Sequence, residues 1–165
     1  MCWRPGWVDA PDAPNGANGE FDTWTILGGS TVGDDLAIEL GRRNRRVRRL
    51  TDVSELPDED VGRELVVVAG NVADIAVDPV QRFLSDAPLV VRHLAEAEHP
   101  GRLVVLTRGA LGVDAPAINP RDSMALGAVT VAPKEYPELS TALVDLDPVQ
   151  PWTADLAERL VDELA

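Results

Sequence analysis

A short apolar strand that runs straight into a glycine turn and then a helix is the feature that most restricts this chain. The stretch is Trp24–Asp35, WTILGGSTVGDD. In α/β domains that bind dinucleotides, a pyrophosphate rests on the free N–H groups at the start of such a helix, and the glycines let the backbone come close. The spacing here departs from both common forms. Read as G-x-G-x-x-G, the positions are Gly28, Ser30 and Gly33, and the middle glycine is absent. Read as G-x-x-x-G-x-G, they are Gly29, Gly33 and Asp35, and the last is absent. Asp34 and Asp35 are expected to begin the helix, where two carboxylates satisfy its N-terminus and repel a phosphate dianion. The expectation is a turn capped by its own acids that holds no cofactor. Gly28, Gly29 and Gly33 are the candidate contacts if it holds one.

Downstream, apolar runs and amphipathic stretches alternate. Residues 1–22 read as an arm that contributes at most an edge strand, and 23–165 as one globular unit. After the strand at Trp24–Leu27, a helix is expected from about Asp34 to Arg43, with Val32, Leu36, Ala37 and Leu40 on one face. Six arginines lie between 42 and 49, in GRRNRRVRR. An arginine after the second strand can accept a 2′-phosphate, but arginines at a helix C-terminus also complement its dipole and counter an acidic chain. The solvated, counter-charge reading is the one adopted, with Val47 and Leu50 in a second strand and Asp52 just beyond it. Leu65–Ala69, LVVVA, suits a strand buried on both faces. Asp78-Pro79 reads as a helix start, with an interruption at Ser85–Pro88 before the pattern resumes over Leu89–Glu98. Leu103–Leu106 and Ala142–Leu146 read as strands and Arg121–Val131 as a helix. Thr153 caps a last helix with Leu156, Leu160, Val161 and Leu164 on its stripe. The fold class expected is α/β, a Rossmann-like, doubly wound, mostly parallel sheet.

Composition narrows the function. The 165 residues carry a formal charge of −13, which argues against nucleic acid and anionic membrane as partners. The single cysteine, Cys2, rules out an internal disulfide and a cysteine-rich zinc site. His93 and His99 are six apart, a poor spacing for a metal pair on a helix, so no metal is expected. A cytoplasmic protein is expected, because no stretch is long and apolar enough to span a bilayer. A short-chain reductase needs Y-x-x-x-K on one helical face, where the ammonium lowers the phenol's pKa. The one tyrosine, Tyr136, and the one lysine, Lys134, are two apart and in the opposite order. No catalytic residue is assigned.

From Leu103 onward, LVVLTRGAL at 103–111 and ALGAVTVAPKEYPELSTALVDLDP at 125–148 resemble the structural subdomain of ketoreductase domains in modular type I polyketide synthases. The carriers are Thr107-Arg108-Gly109-Ala110, then Glu135-Tyr136-Pro137-Glu138-Leu139, then Val144-Asp145-Leu146-Asp147. Upstream, the strand, degenerate glycine turn and helix are similar to the family's first unit. The family helix often carries tryptophan and arginine where this chain has Met124 and Thr130. The resemblance implies a truncated short-chain-dehydrogenase-like half that is not an enzyme on its own. Such a half stabilises and positions the catalytic ketoreductase subdomain, which holds NADPH, and an enoylreductase or dehydratase domain is a further neighbour it admits. On that reading the chain ends about where the catalytic half would begin. The rival expectation is a free-standing dinucleotide-binding protein using the 28–33 turn.

Overall fold

The computed structural model describes residues 23–28, 31–56, 64–68, 79–96, 101–111 and 120–164, with the backbone alone at 64–68, 79–86 and 120–121. Strands and helices alternate: β1 Thr23–Leu27, α1 Thr31–Arg42, β2 Arg46–Leu50, β3 Glu64–Val68, α2 Pro79–Glu96, β4 Arg102–Arg108, α3 Pro120–Ser123, α4 Ala125–Glu135, β5 Ser140–Leu146 and α5 Ala154–Leu164. A single 3-10 turn, Val53–Glu55, follows β2.

The five strands form one parallel sheet in the order β2-β1-β3-β4-β5. Side-chain alternation along a strand sends successive residues to opposite faces, and β4 shows it plainly. Leu103 and Val105 join a core with Val90 and Leu94 of α2 and Ala125 and Ala132 of α4. Val104 and Leu106 join the opposite core with Leu36 and Leu40 of α1 and Leu160 and Val161 of α5. The four β4 residues are fully buried. Because helices cover both faces of β4, its apolar run is continuous rather than alternating.

Several element boundaries differ from expectation. α1 starts at Thr31, three residues before Asp34, so Asp34 lies in the first turn and Asp35 beyond its start. α2 runs through Pro88 without a break. Pro88 is exposed, so water can serve the carbonyl that its missing N–H leaves unpaired, and the amphipathic packing of Val90, Val91 and Leu94 holds the helix. The helix expected over 121–131 is two helices, joined at Met124, and the second continues through Pro133 to Glu135. The final helix buries Ala157, Leu160, Val161 and Leu164, with Leu156 half-buried. Thr153 caps it, its hydroxyl accepting the Leu156 N–H at 3.3 Å. Among the described residues no helix is long and apolar enough to cross a membrane.

Candidate functional site

In a parallel sheet whose strand order reverses, ligands sit outside the carboxyl ends of the strands at the reversal. Here that point lies between β1 and β3, and Gly28 directly follows β1 there. Gly28 has φ +124°, a conformation that side chains other than hydrogen resist, and its N–H donates to the Leu50 carbonyl at 2.9 Å. Gly29 and Ser30 lie outside the described residues.

Between the end of β1 and the first turn of α1 lies the guanidinium of Arg49 of β2. Its Nη2 donates to the Gly28 carbonyl at 2.9 Å and pairs with Asp34 Oδ1 at 2.9 Å. Its Nη1 is buried without a hydrogen-bond partner, against Gly33. The guanidinium stands where a side chain on residue 33 would have to go, so Gly33 admits the close approach of an arginine. Parallel pairing places Ile26 beside Arg49 and Leu27 beside Leu50, which delivers that arginine to the end of β1.

The two acids do not cap α1 as expected. Asp34 is spent on Arg49, while Asp35 Oδ2 accepts the indole N–H of Trp152 at 2.7 Å and ties α1 to the segment leading into α5. The arginine run is likewise more than a solvated face. Arg42 and Arg43 pair with Glu39, and Arg43 also donates to Asp162 Oδ1 at 2.7 Å and to the Glu158 carbonyl at 3.2 Å. The hydrogen bonds to Asp162 and then Glu39 raise the Arg43 pKa above its already high ordinary value, so the α1–α5 bond is charged across the working pH range. Asp52 caps the 3-10 turn by accepting from the Ser54 N–H and hydroxyl at 2.9 and 2.7 Å.

A second cluster gathers at the end of β4. Asp145 of β5 accepts three hydrogen bonds: from the Thr107 hydroxyl at 2.8 Å, the Ala110 N–H at 2.9 Å and the Leu111 N–H at 2.8 Å. Gly109, at φ +71°, donates to the Leu146 carbonyl at 3.0 Å, with Pro148 packed where a β-carbon would stand. The Arg108 N–H donates to Asp122 Oδ2 at 2.8 Å, and its guanidinium reaches the carbonyls of Asp147 and Gln150. Asp122 is 3 % exposed, a buried carboxylate that the sequence pattern does not mark. Ser123 donates to the Ala110 carbonyl at 2.6 Å and closes the knot.

Glu135, Tyr136 and Pro137 lie at the other end of β5, about 20 Å away along the strand. Tyr136 ends α4, its N–H donating to Ala132 at 2.8 Å, and packs with buried Leu139 against the α2–α4 core. The structure therefore brings Thr107, Arg108, Gly109, Ala110 and Asp145 together and keeps Glu135, Tyr136 and Pro137 apart from them. Lys134 falls in the last turn of α4, with Tyr136 just past it.

A groove of about 320 Å³ opens between residues 52–56 and α2, lined by Asp52, Ser54, Leu89, Arg92, His93 and Glu96 among others. His93 lies here; His99 and Cys2 are outside the described residues. Among the described residues no group of three His, Cys, Asp or Glu side chains could hold a metal. No protein-family model matches the chain, and no curated protein matches it.

Proposed function

We propose that the chain is the non-catalytic scaffold half of a β-ketoreductase of the modular polyketide-synthase kind, a Rossmann-like, doubly wound fold that stabilises and positions an NADPH-dependent catalytic half. The observation that carries this reading is the use of the motif residues. Thr107 and Ala110 donate to Asp145 and Gly109 donates to Leu146, so these residues, which the resemblance singles out, serve to hold β4 against β5. The strand order β2-β1-β3-β4-β5 is compatible with it: a six-stranded Rossmann sheet without the outermost strand beside β2 has this order, which flavodoxin-like sheets share. A scaffold must also offer an apolar contact. Leu89 of α2, Met124 between α3 and α4, and Val131 of α4 are 54, 62 and 45 % exposed.

Co-expression with a catalytic half bearing G-x-G-x-x-G and Y-x-x-x-K tests the proposal. Soluble yield and NADPH-dependent ketone reduction should both rise when this chain is present. Equal yield and equal reduction without it would defeat the reading.

The free-standing dinucleotide binder is kept as the second reading, because the turn over the β1–β3 reversal is where that ligand would rest. Calorimetry with NADPH and NADH separates the two. Micromolar binding by this chain alone would favour the second.

A further inference from the structure

The glycine turn has kept two residues that a cofactor loop needs, Gly28 and Gly33, while losing the spacing of the motif. Both are explained by one side chain of the protein itself. Gly28 presents its carbonyl to Arg49 Nη2, and Gly33 leaves bare the surface on which Nη1 lies. The planar, forked guanidinium suits this bridge, since it reaches the end of β1 and the first turn of α1 from a single position on β2.

We infer that Arg49 is an internal latch: one side chain of β2 that ties the end of β1 to the first turn of α1 and occupies the ground over Gly33 that a ligand would need. This goes beyond the scaffold reading and does not depend on it. It also assigns Arg49 a structural role rather than that of a reader of a 2′-phosphate. The Asp34 side chain is 70 % exposed, so the pair with it adds little; the Gly28 carbonyl and the fit over Gly33 carry the latch.

The inference makes Gly33→Ala and Arg49→Ala the same lesion. A methyl group at position 33 must push the flexible guanidinium aside, breaking its bond to Gly28. Arg49→Ala should lower Tm by roughly 2–6 °C. Gly33→Ala should lower it as well, yet leave it unchanged or raise it when added to Arg49→Ala, because alanine is the better helix former once the arginine is gone. Arg49→Lys should fail to restore the wild-type Tm, since an ammonium lacks the fork. Additive shifts from the two alanine variants, or full rescue by lysine, would overturn the latch.

Hydrogen exchange supplies a reading that keeps the arginine in place. In Gly33→Ala, amides 31–36 should exchange faster while those of 107–111 do not change. No local acceleration would count against the inference. Titration of the wild-type chain with NADPH to about 1 mM should leave Tm where it was. A saturable rise would overturn the latch, because the guanidinium would have yielded its place. That rise would also weaken the scaffold reading, whereas the additivity test bears on Arg49 alone.

Discussion

Two turns follow parallel strands at the same edge of the sheet, and each is fastened by a side chain from the neighbouring strand. After β1 the fastener is a cation, Arg49, which gives one hydrogen bond to a carbonyl and leaves a buried Nη1 unpaired. After β4 it is an anion, Asp145, which accepts from a hydroxyl and two backbone N–H groups. The difference lies in what each turn would be left with if its fastener were lost. Without Arg49 one carbonyl loses a partner, and carbonyls tolerate this better than amides do. Without Asp145 two amides and a buried threonine hydroxyl are stranded at once. Losing its fastener should therefore cost the turn after β4 more than it costs the end of β1.

The largest expected effect follows directly. Asp145→Ala should destabilise the fold by about 2–4 kcal/mol, since two amides and the buried Thr107 hydroxyl lose a partly buried charged acceptor. Asp145→Asn should cost less, because the amide keeps one accepting oxygen and loses the other. Chemical denaturation of both variants checks the order. An alanine variant within about 1 kcal/mol of wild type would remove the contrast between the turns.

Next come the glycines. Gly109→Ala combines a positive φ with a β-carbon set 3.2 Å from Pro148, and should cost about 1–3 kcal/mol. Gly28→Ala meets a positive φ and should cost about 1–2 kcal/mol. Measured side by side by denaturant midpoint, the pair sharpens the comparison. A larger loss at Gly28 than at Gly109 would reverse that order.

How much of this was legible beforehand depends on the range of the interaction. The strands at 24–27 and 103–106 could be read because continuous apolar runs follow from two covered faces. The stripes of α1 and α5 could be read because Leu36 and Leu40, or Leu160 and Val161, repeat at helical spacing. Local signals erred where packing prevailed over propensity. Pro88 should end a helix, yet its exposed position let α2 continue. Thr31, Val32 and Gly33 are indifferent helix formers, yet they open α1 because Val32 is buried in the α1–α5 core. The fasteners were hidden for another reason. Nothing within a run of six arginines tells which one will meet a glycine on a different element, since register between β1 and β2 decides it. Asp145 stood out only through resemblance, and its three donors become neighbours only when β4 and β5 pair.

The smallest expected effect is the most pointed test of the Arg49 fastener. Asp34 and Arg49 form the kind of ion pair that charge counting would place at the centre of the site, on the first turn of a helix that favours an acid. Yet the Asp34 carboxylate is mostly in water, where a pair gains about 0–1 kcal/mol and is screened by salt. Asp34→Ala should therefore move stability by no more than about 0.5 kcal/mol, and that shift should vanish by 0.5 M salt on the order expected from screening. Arg49→Ala should keep most of its cost in the same salt, because a hydrogen bond to a carbonyl over a glycine owes little to long-range charge. If Asp34→Ala and Arg49→Ala instead fall together and salt erases both, the arginine is held by its charge, and the turn after β1 differs from the turn after β4 only in sign.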